Sequence, residues 1–157
     1  MKPMEIERKY IIKCLPEHLH SYPFHIIEQG YLSTNPVVRV RRQDNDYYLT
    51  YKGSGMMVRE EYNLPLTAAS YENLLSKADG NIISKTRYLI PLSKYIPDSS
   101  LTIELDVFNS PFAPLIIAEI EFSSEEEANA FIAPDWFLKD VTKDKAYHNS
   151  TLSQIVF

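Results

Sequence analysis

The residues of this 157-residue chain best suited to chemistry come as like-charged doublets separated by one position: Glu5-x-Glu7, Arg39-x-Arg41, Lys85-x-Arg87, Glu104-x-Asp106 and Glu119-x-Glu121. Carboxylate clusters suit a hard divalent cation such as Mg²⁺ or Mn²⁺, whereas Lys and Arg suit phosphate oxygens, Arg being able to engage two at once. A polyanion accompanied by divalent metal would satisfy both sets. Like charges at i and i+2 repel one another, so their repetition calls for a cause outside each segment.

The elements that must position these doublets read as strands, since β-branched and aromatic residues run in short stretches between Pro, Gly, Asn, Asp or Ser clusters. Strands are predicted near residues 5–13, 24–32, 37–43, 47–52, 58–64, 82–90, 101–108 and 116–122. Side chains alternate faces along a strand, which places Lys9 with Glu5 and Glu7, adds Lys52 from the fourth strand, and pairs Arg59 with Glu61 on the fifth. Seven bases (Lys9, Arg39, Arg41, Lys52, Arg59, Lys85, Arg87) and seven acids (Glu5, Glu7, Glu61, Glu104, Asp106, Glu119, Glu121) then share one face. A solvated face normally mixes Thr, Ser, Gln and Asn with its charges, and here the opposite face is aliphatic in most strands, as outward packing against helices would require. The charged face is therefore expected to point inward. Eight antiparallel strands closed into a barrel leave an interior wide enough for a small ligand. The expected class is α+β, mainly β: a closed eight-stranded antiparallel β-barrel, or tunnel, with a few flanking helices.

The Asp44-Asn45-Asp46 link reads as a short hairpin turn. One helix is expected from Thr67 to about Lys77, with Gly80 beyond it. A second starts at Ser124, with Glu127 at capping-box spacing, and ends at Pro134. A third follows Thr142 toward Gln154 and buries Tyr147, Leu152 and Ile155. No repeat or linker is visible, so residues 1–157 are read as one domain. With 45% hydrophobic and 24% charged residues the chain has a globular balance. Its net charge of -5 argues against general nucleic-acid binding while leaving room for a concentrated basic site. No stretch approaches a membrane span or a secretory leader, and the lone Cys14 excludes an internal disulfide; a cytoplasmic protein is expected.

Glu5-Ile6-Glu7-Arg8-Lys9 resembles the Glu-x-Glu-x-Lys signature of the CYTH domain, or triphosphate tunnel metalloenzyme, superfamily. The likeness continues in family order through 38–41, 49–52, 59–61, 85–88, 104–106 and 118–122. Residues 140–149 are similar to the closing segment of small bacterial members, with Asp140 and Ala146 in place of the usual Glu and Arg. The resemblance implies a small-molecule triphosphate substrate, with Mg²⁺ or Mn²⁺ as cofactor, two per site when substrate is bound. It implies metal ligation by Glu5, Glu7, Glu119 and Glu121, with Glu61, Glu104 and Asp106 as further ligands or water-orienting groups. Lys9, Arg39, Arg41, Lys52, Arg59, Lys85 and Arg87 would cradle the triphosphate, and Glu5, Glu7, Lys9, Lys52 and Arg87 would carry catalysis. Hydrolysis of inorganic tripolyphosphate leads the readings. Thiamine triphosphatase, class IV-type adenylate cyclase and a non-catalytic polyphosphate or nucleotide binder are the alternatives, and a homodimer is left open.

Weaker signals point elsewhere. His18-x-His20 follows Pro16 in a loop-like stretch and is a poor metal site, and Gly53-Ser54-Gly55 lacks the Gly-Lys-Ser/Thr order of a phosphate loop. Tyr10, Tyr48, Tyr51 and Tyr88 could stack on a base or thiazole ring but are more simply packing residues. Glu125-Glu126-Glu127 suits the acidic first turn of a helix.

Overall fold

A computed structural model describes residues 3–157. The described residues form nine strands: β1 (Met4–Ile12), β2 (Phe24–Thr34), β3 (Val37–Gln43), β4 (Asp46–Lys52), β5 (Val58–Pro65), β6 (Asp79–Pro91), β7 (Thr102–Phe108), β8 (Ile116–Glu121) and β9 (Phe137–Asp140). They pair in the order β5-β4-β3-β2-β6-β7-β8-β1-β9, and a further β5–β1 pairing closes the first eight into an antiparallel barrel. The expected closed barrel is what the chain forms.

Register explains why the charged residues converge. Directly opposed residues on antiparallel strands share a face. Glu5 lies opposite Arg59, Lys52 opposite Glu61, Arg41 opposite Gln29, Lys85 opposite Ile27, Arg87 opposite Asp106, Glu104 opposite Glu119 and Glu7 opposite Glu121. These matches carry the ionic face from strand to strand around the ring, on the inside.

The alternate residues form an outer core. Tyr10, Ile90, Ile103, Leu105, Ala118 and Ile120 are buried beneath Phe122, Phe137 and the helix α2 (Glu125–Ala130). On the other flank the helix α1 (Ala68–Leu75), capped by Thr67 accepting from the Ser70 amide, seats the fully buried Tyr71 against the barrel, with its hydroxyl donating to Glu28. That seat needs Gly30, because a Cβ there would lie 2.8 Å from the Ala78 Cβ and 2.9 Å from Leu75 Cδ1. Gly30→Ala is therefore expected to overpack the contact at about 1–3 kcal/mol, read as a fall of roughly 2–12 °C in melting temperature.

Four features depart from the sequence reading. β9 extends the sheet beyond the barrel by pairing with β1. The second helix stops at Ala130 rather than Pro134, because Phe131 turns extended and packs edge-on against Phe122 and Tyr10. The third helix is broken: a 3₁₀ turn at Lys145–Tyr147, capped by Asp144, is separated from α3 (Asn149–Leu152) by the extended backbone of His148. Ile155 is 40% exposed, not buried, while Leu152 is buried as expected. Finally, the interior is not ionic throughout. Tyr31, Val37, Ile83, Phe108, Phe112, Ile117 and Leu152 form a second apolar cluster that stops part of one end of the barrel. Among the described residues, no helix is long and apolar enough to cross a membrane.

Candidate active site

Inside the barrel is a cavity of about 240 Å³. Thirteen of the fourteen ionic residues picked out by alternation line it: Glu5, Glu7, Lys9, Arg39, Arg41, Lys52, Arg59, Glu61, Lys85, Arg87, Glu104, Glu119 and Glu121. Asp106 does not. Fully buried behind the lining, it receives Lys85 Nζ at 2.7 Å and two Arg87 nitrogens at 2.7 and 2.9 Å. Its oxygens are committed to cations, so its geometry does not support the expected metal-ligand role; it anchors two bases instead.

The remaining charges divide into a paired set and an unpaired one. Arg87 also reaches Glu104 at 3.0 Å and Glu119 at 3.4 Å, and Lys9 lies 3.5 Å from Glu119. Lys52 bonds Glu5 at 2.8 Å and approaches Glu61 at 3.9 Å. Among the described residues, no ion pair engages Arg39, Arg41, Arg59, Glu7 or Glu121. Arg41 is steadied by the Gln29 amide oxygen at 2.8 Å, and Arg39 contacts Thr50 at 3.3 Å while its Nε has no partner. Arg39 and Arg41 stand on β3, which lies four strands from β8 in either direction around the ring, so these guanidiniums are set across the lumen from Glu119 and Glu121.

Titration behaviour cuts across that division, since burial raises Glu5 and Glu104 despite their basic partners. Burial, then the charges of Glu119 and Glu5, push Glu7 up to about 8. Burial also raises Glu5, which shares a hydrogen bond with Glu61, and it raises Glu121 beside Glu5 and Glu104. Burial would raise Glu119 too, but Lys9, Arg87 and Lys85 hold it well below the usual carboxylate range. Lys85 is pulled down to about 7 by burial, with Arg87 and Arg41 adding to the effect against Asp106. Burial and the neighbouring Arg39 and Arg87 lower Arg41 to about 10, so it remains charged at neutral pH.

Among the described residues, no three acidic or imidazole groups already converge closely enough to hold a metal ion. The donor set nevertheless fits one kind of cation. Mg²⁺ is commonly held by one or two carboxylates, with substrate phosphates and water completing its shell. Glu7 and Glu121, crowded by like charge and without an ion pair among the described residues, provide such a pair; Glu5, Glu61, Glu104 and Glu119 are adjacent oxygen donors.

Some lining residues were missed in the sequence. Tyr31 and Gln43 sit on the same inward phase as their charged neighbours and could have been found by extending the alternation, as could the lumen position of Tyr48, considered above only for stacking. His148, Asn149 and Ser150 come from the broken C-terminal segment, for which strand alternation has no meaning. The Asn149 carboxamide oxygen accepts from both Gln29 Nε2 and Lys85 Nζ at 3.0 Å, tying the C-terminal segment to the cation wall. His18 and His20, by contrast, lie outside the cavity lining.

Residues 3–155 match the CYTH domain family. The chain is 40% identical over 153 residues to an inorganic triphosphatase of Nitrosomonas europaea, covering 95% of this chain and 96% of that one. It is 32% identical over 158 residues to an inorganic triphosphatase of Acetivibrio thermocellus, covering 94% and 92%. The crystal structure of the inorganic triphosphatase NE1496 superimposes with a TM-score of 0.70 at 35% identity, covering 97% of this chain and 95% of that one. Match extent, barrel and ionic lumen agree: this chain belongs to the CYTH domain family.

Proposed function

We propose that the chain is an inorganic triphosphatase that hydrolyses tripolyphosphate to diphosphate and orthophosphate with Mg²⁺ or Mn²⁺. The observation that carries this reading is the set of lumen residues that, among the described residues, make no ion pair: Arg39, Arg41 and Arg59, with Glu7 and Glu121. The buried guanidiniums of Arg39 and Arg41 cost several kcal/mol each unless a ligand completes them. A triphosphate bearing divalent metal completes both.

In the reaction, a water oxygen bonds to the terminal phosphorus while the bridging P–O bond breaks, its electron pair leaving on the diphosphate oxygen. Arg39, Arg41 and Arg59, with Lys9, Lys52, Lys85 and Arg87, hold the phosphate oxygens. Fixed cations in a water-poor cavity stabilise the charge that spreads over the transferred group. Glu5, Glu7, Glu61, Glu104, Glu119 and Glu121 would hold the metal, two ions per triphosphate. Bound metal supplies charge neutralisation and a more acidic water. Glu5, Glu7, Lys9, Lys52 and Arg87 are the residues we assign closest to the reacting phosphoryl group. Asp106 acts one step back, fixing Lys85 and Arg87. We place the reaction in the cytoplasm, where the exposed thiol of Cys14 stays reduced.

The two relatives, 40% and 32% identical and each an inorganic triphosphatase, support an inorganic substrate over thiamine triphosphate or a nucleotide. A panel of tripolyphosphate, thiamine triphosphate and ATP tests the choice: the highest kcat/KM is expected for tripolyphosphate, and a preference for either organic triphosphate, or cyclic AMP from ATP, would refute it.

Arg39→Ala is expected to lower kcat/KM for tripolyphosphate roughly 10–150-fold, the equivalent of one lost charge-assisted hydrogen-bonding group. Thermal stability should change little, because among the described residues Arg39 makes no ion pair and its charge acts on Glu61 only as a minor contribution. A fall in stability with unchanged kinetics would assign Arg39 to the fold instead.

A further inference from the structure

The apolar stopper does not fill its end of the barrel. Between the β2–β3 turn at Asn35 and Pro36, the 53–57 loop and the C-terminal segment is a second cavity of about 320 Å³ that shares Val37, Arg59, His148 and Ser150 with the lumen wall. It reaches the surface at the exposed Ser54, Lys145 and Thr151. Arg59, Lys145, Ser54, Ser150 and Thr151 supply donors to this vestibule, and no Asp or Glu lines it. Glu60, running beside Gly53, is bonded by Tyr62, and Asp144 accepts from the Ala146 amide; neither lines the vestibule. Arg59 donates its Nε to the Gly53 carbonyl at 3.1 Å and, among the described residues, makes no ion pair. Burial and the charges of Lys9, Arg59, Lys52 and Lys145 together push His148 down to about 4, so cations of lumen and vestibule converge on one neutral imidazole. Arg59 and Lys145 thus extend positive charge from the lumen wall to the surface along a lining that holds no carboxylate of its own.

We propose that this vestibule is a phosphate-binding subsite continuous with the lumen, taking one phosphoryl group beyond those the lumen holds. That group is either orthophosphate on its way out or the next unit of a chain longer than three. Its origin rests on the triphosphatase reading; its binding does not.

The direct test follows the His148 imidazole resonances by NMR, assigned with His148→Gln, as metal-free protein is titrated with inorganic phosphate. A saturable shift is expected in the wild type and in Arg39→Ala, and affinity at least tenfold weaker in Lys145→Glu, whose side chain is exposed and not needed for folding. No shift in the wild type, or equal affinity in Lys145→Glu, overturns the subsite. So does loss in Arg39→Ala with retention in Lys145→Glu, which would confine phosphate to the lumen. Kinetics then separate the two sources, each of which upholds the subsite. A fall in kcat/KM for tetrapolyphosphate relative to tripolyphosphate in Lys145→Glu identifies a further chain unit. An unchanged ratio with weaker inhibition by orthophosphate identifies the departing product. A wild type that binds phosphate here but turns over no triphosphate would refute the triphosphatase reading and leave the subsite standing.

Discussion

Glu7→Gln is expected to lower tripolyphosphate turnover roughly 10²–10³-fold, the usual scale for losing one group on which stabilisation of transition-state charge depends, while making the metal-free protein more stable at pH 8. The two effects share one cause. Glu7 is buried near Glu119 and Glu5 and is raised from its ordinary 4.5 to about 8. Below pH 4.5 it is protonated in both folded and unfolded chains. Between 4.5 and about 8 the unfolded chain gives up a proton that the folded chain retains, so the stability associated with protonated Glu7 is lost as pH rises. Above that window the ionised carboxylate is a constant penalty. Gln is neutral throughout and escapes it. Melting curves in chelator should therefore place the variant above the wild type at pH 8, with the gap closing toward pH 5. Adding Mg²⁺ and tripolyphosphate should raise the wild-type melting temperature more than the variant's, since a ligand stabilises in proportion to its binding. A variant with full activity, or with lower stability at pH 8 in chelator, would contradict the assignment of Glu7 as a strained cation-holding group.

Asp106→Ala is expected to cost about 3–5 kcal/mol of stability, because it leaves Lys85 and Arg87 buried with their shared carboxylate gone. For a chain of this length that is a fall of roughly 6–20 °C in melting temperature. Burial would raise the Asp106 carboxyl, yet Arg87 and Lys85 hold it lower, and Arg87 in turn is held well above its ordinary value against its own burial. Glu104 and Glu119 would still partner Arg87, whereas Lys85 would keep the Asn149 oxygen and the face of the Phe108 ring but no acid within ion-pair distance among the described residues. Asp106→Asn, which retains the shape but not the charge, should fall between the two. Calorimetry separates anchoring from ligation: the Asn variant should bind Mg²⁺ in the presence of a non-hydrolysable triphosphate with wild-type affinity. A large loss of metal affinity without loss of stability would restore Asp106 as a metal ligand.

The barrel and most of its lumen were legible in the sequence because the doublets keep strand period across five separate segments. Alternation identifies a face but not a depth along the barrel axis. Ile83, Phe108 and Ile117 share the inward phase of Lys85, Asp106 and Glu119, and only the sheet register shows that they stop one end while their neighbours stay ionic. The placement of Asp106 behind the lining, opposite Arg87, is likewise a register fact that alternation does not give. β9 has four residues, too few for a period to declare itself, and depends on pairing with β1. The continuous third helix failed because extended backbone at His148 sets Asn149 where its oxygen meets Gln29 and Lys85, contacts 120 and 64 residues away in sequence.

Product analysis of tripolyphosphate incubated with purified wild-type protein and Mg²⁺ or Mn²⁺ tests the central claim most directly. The expected result is one orthophosphate and one diphosphate per substrate consumed, with release abolished by chelator and strongly reduced in Glu7→Gln. Tight, metal-dependent binding of tripolyphosphate with no phosphate released at any pH would contradict it and make the lumen a binding chamber.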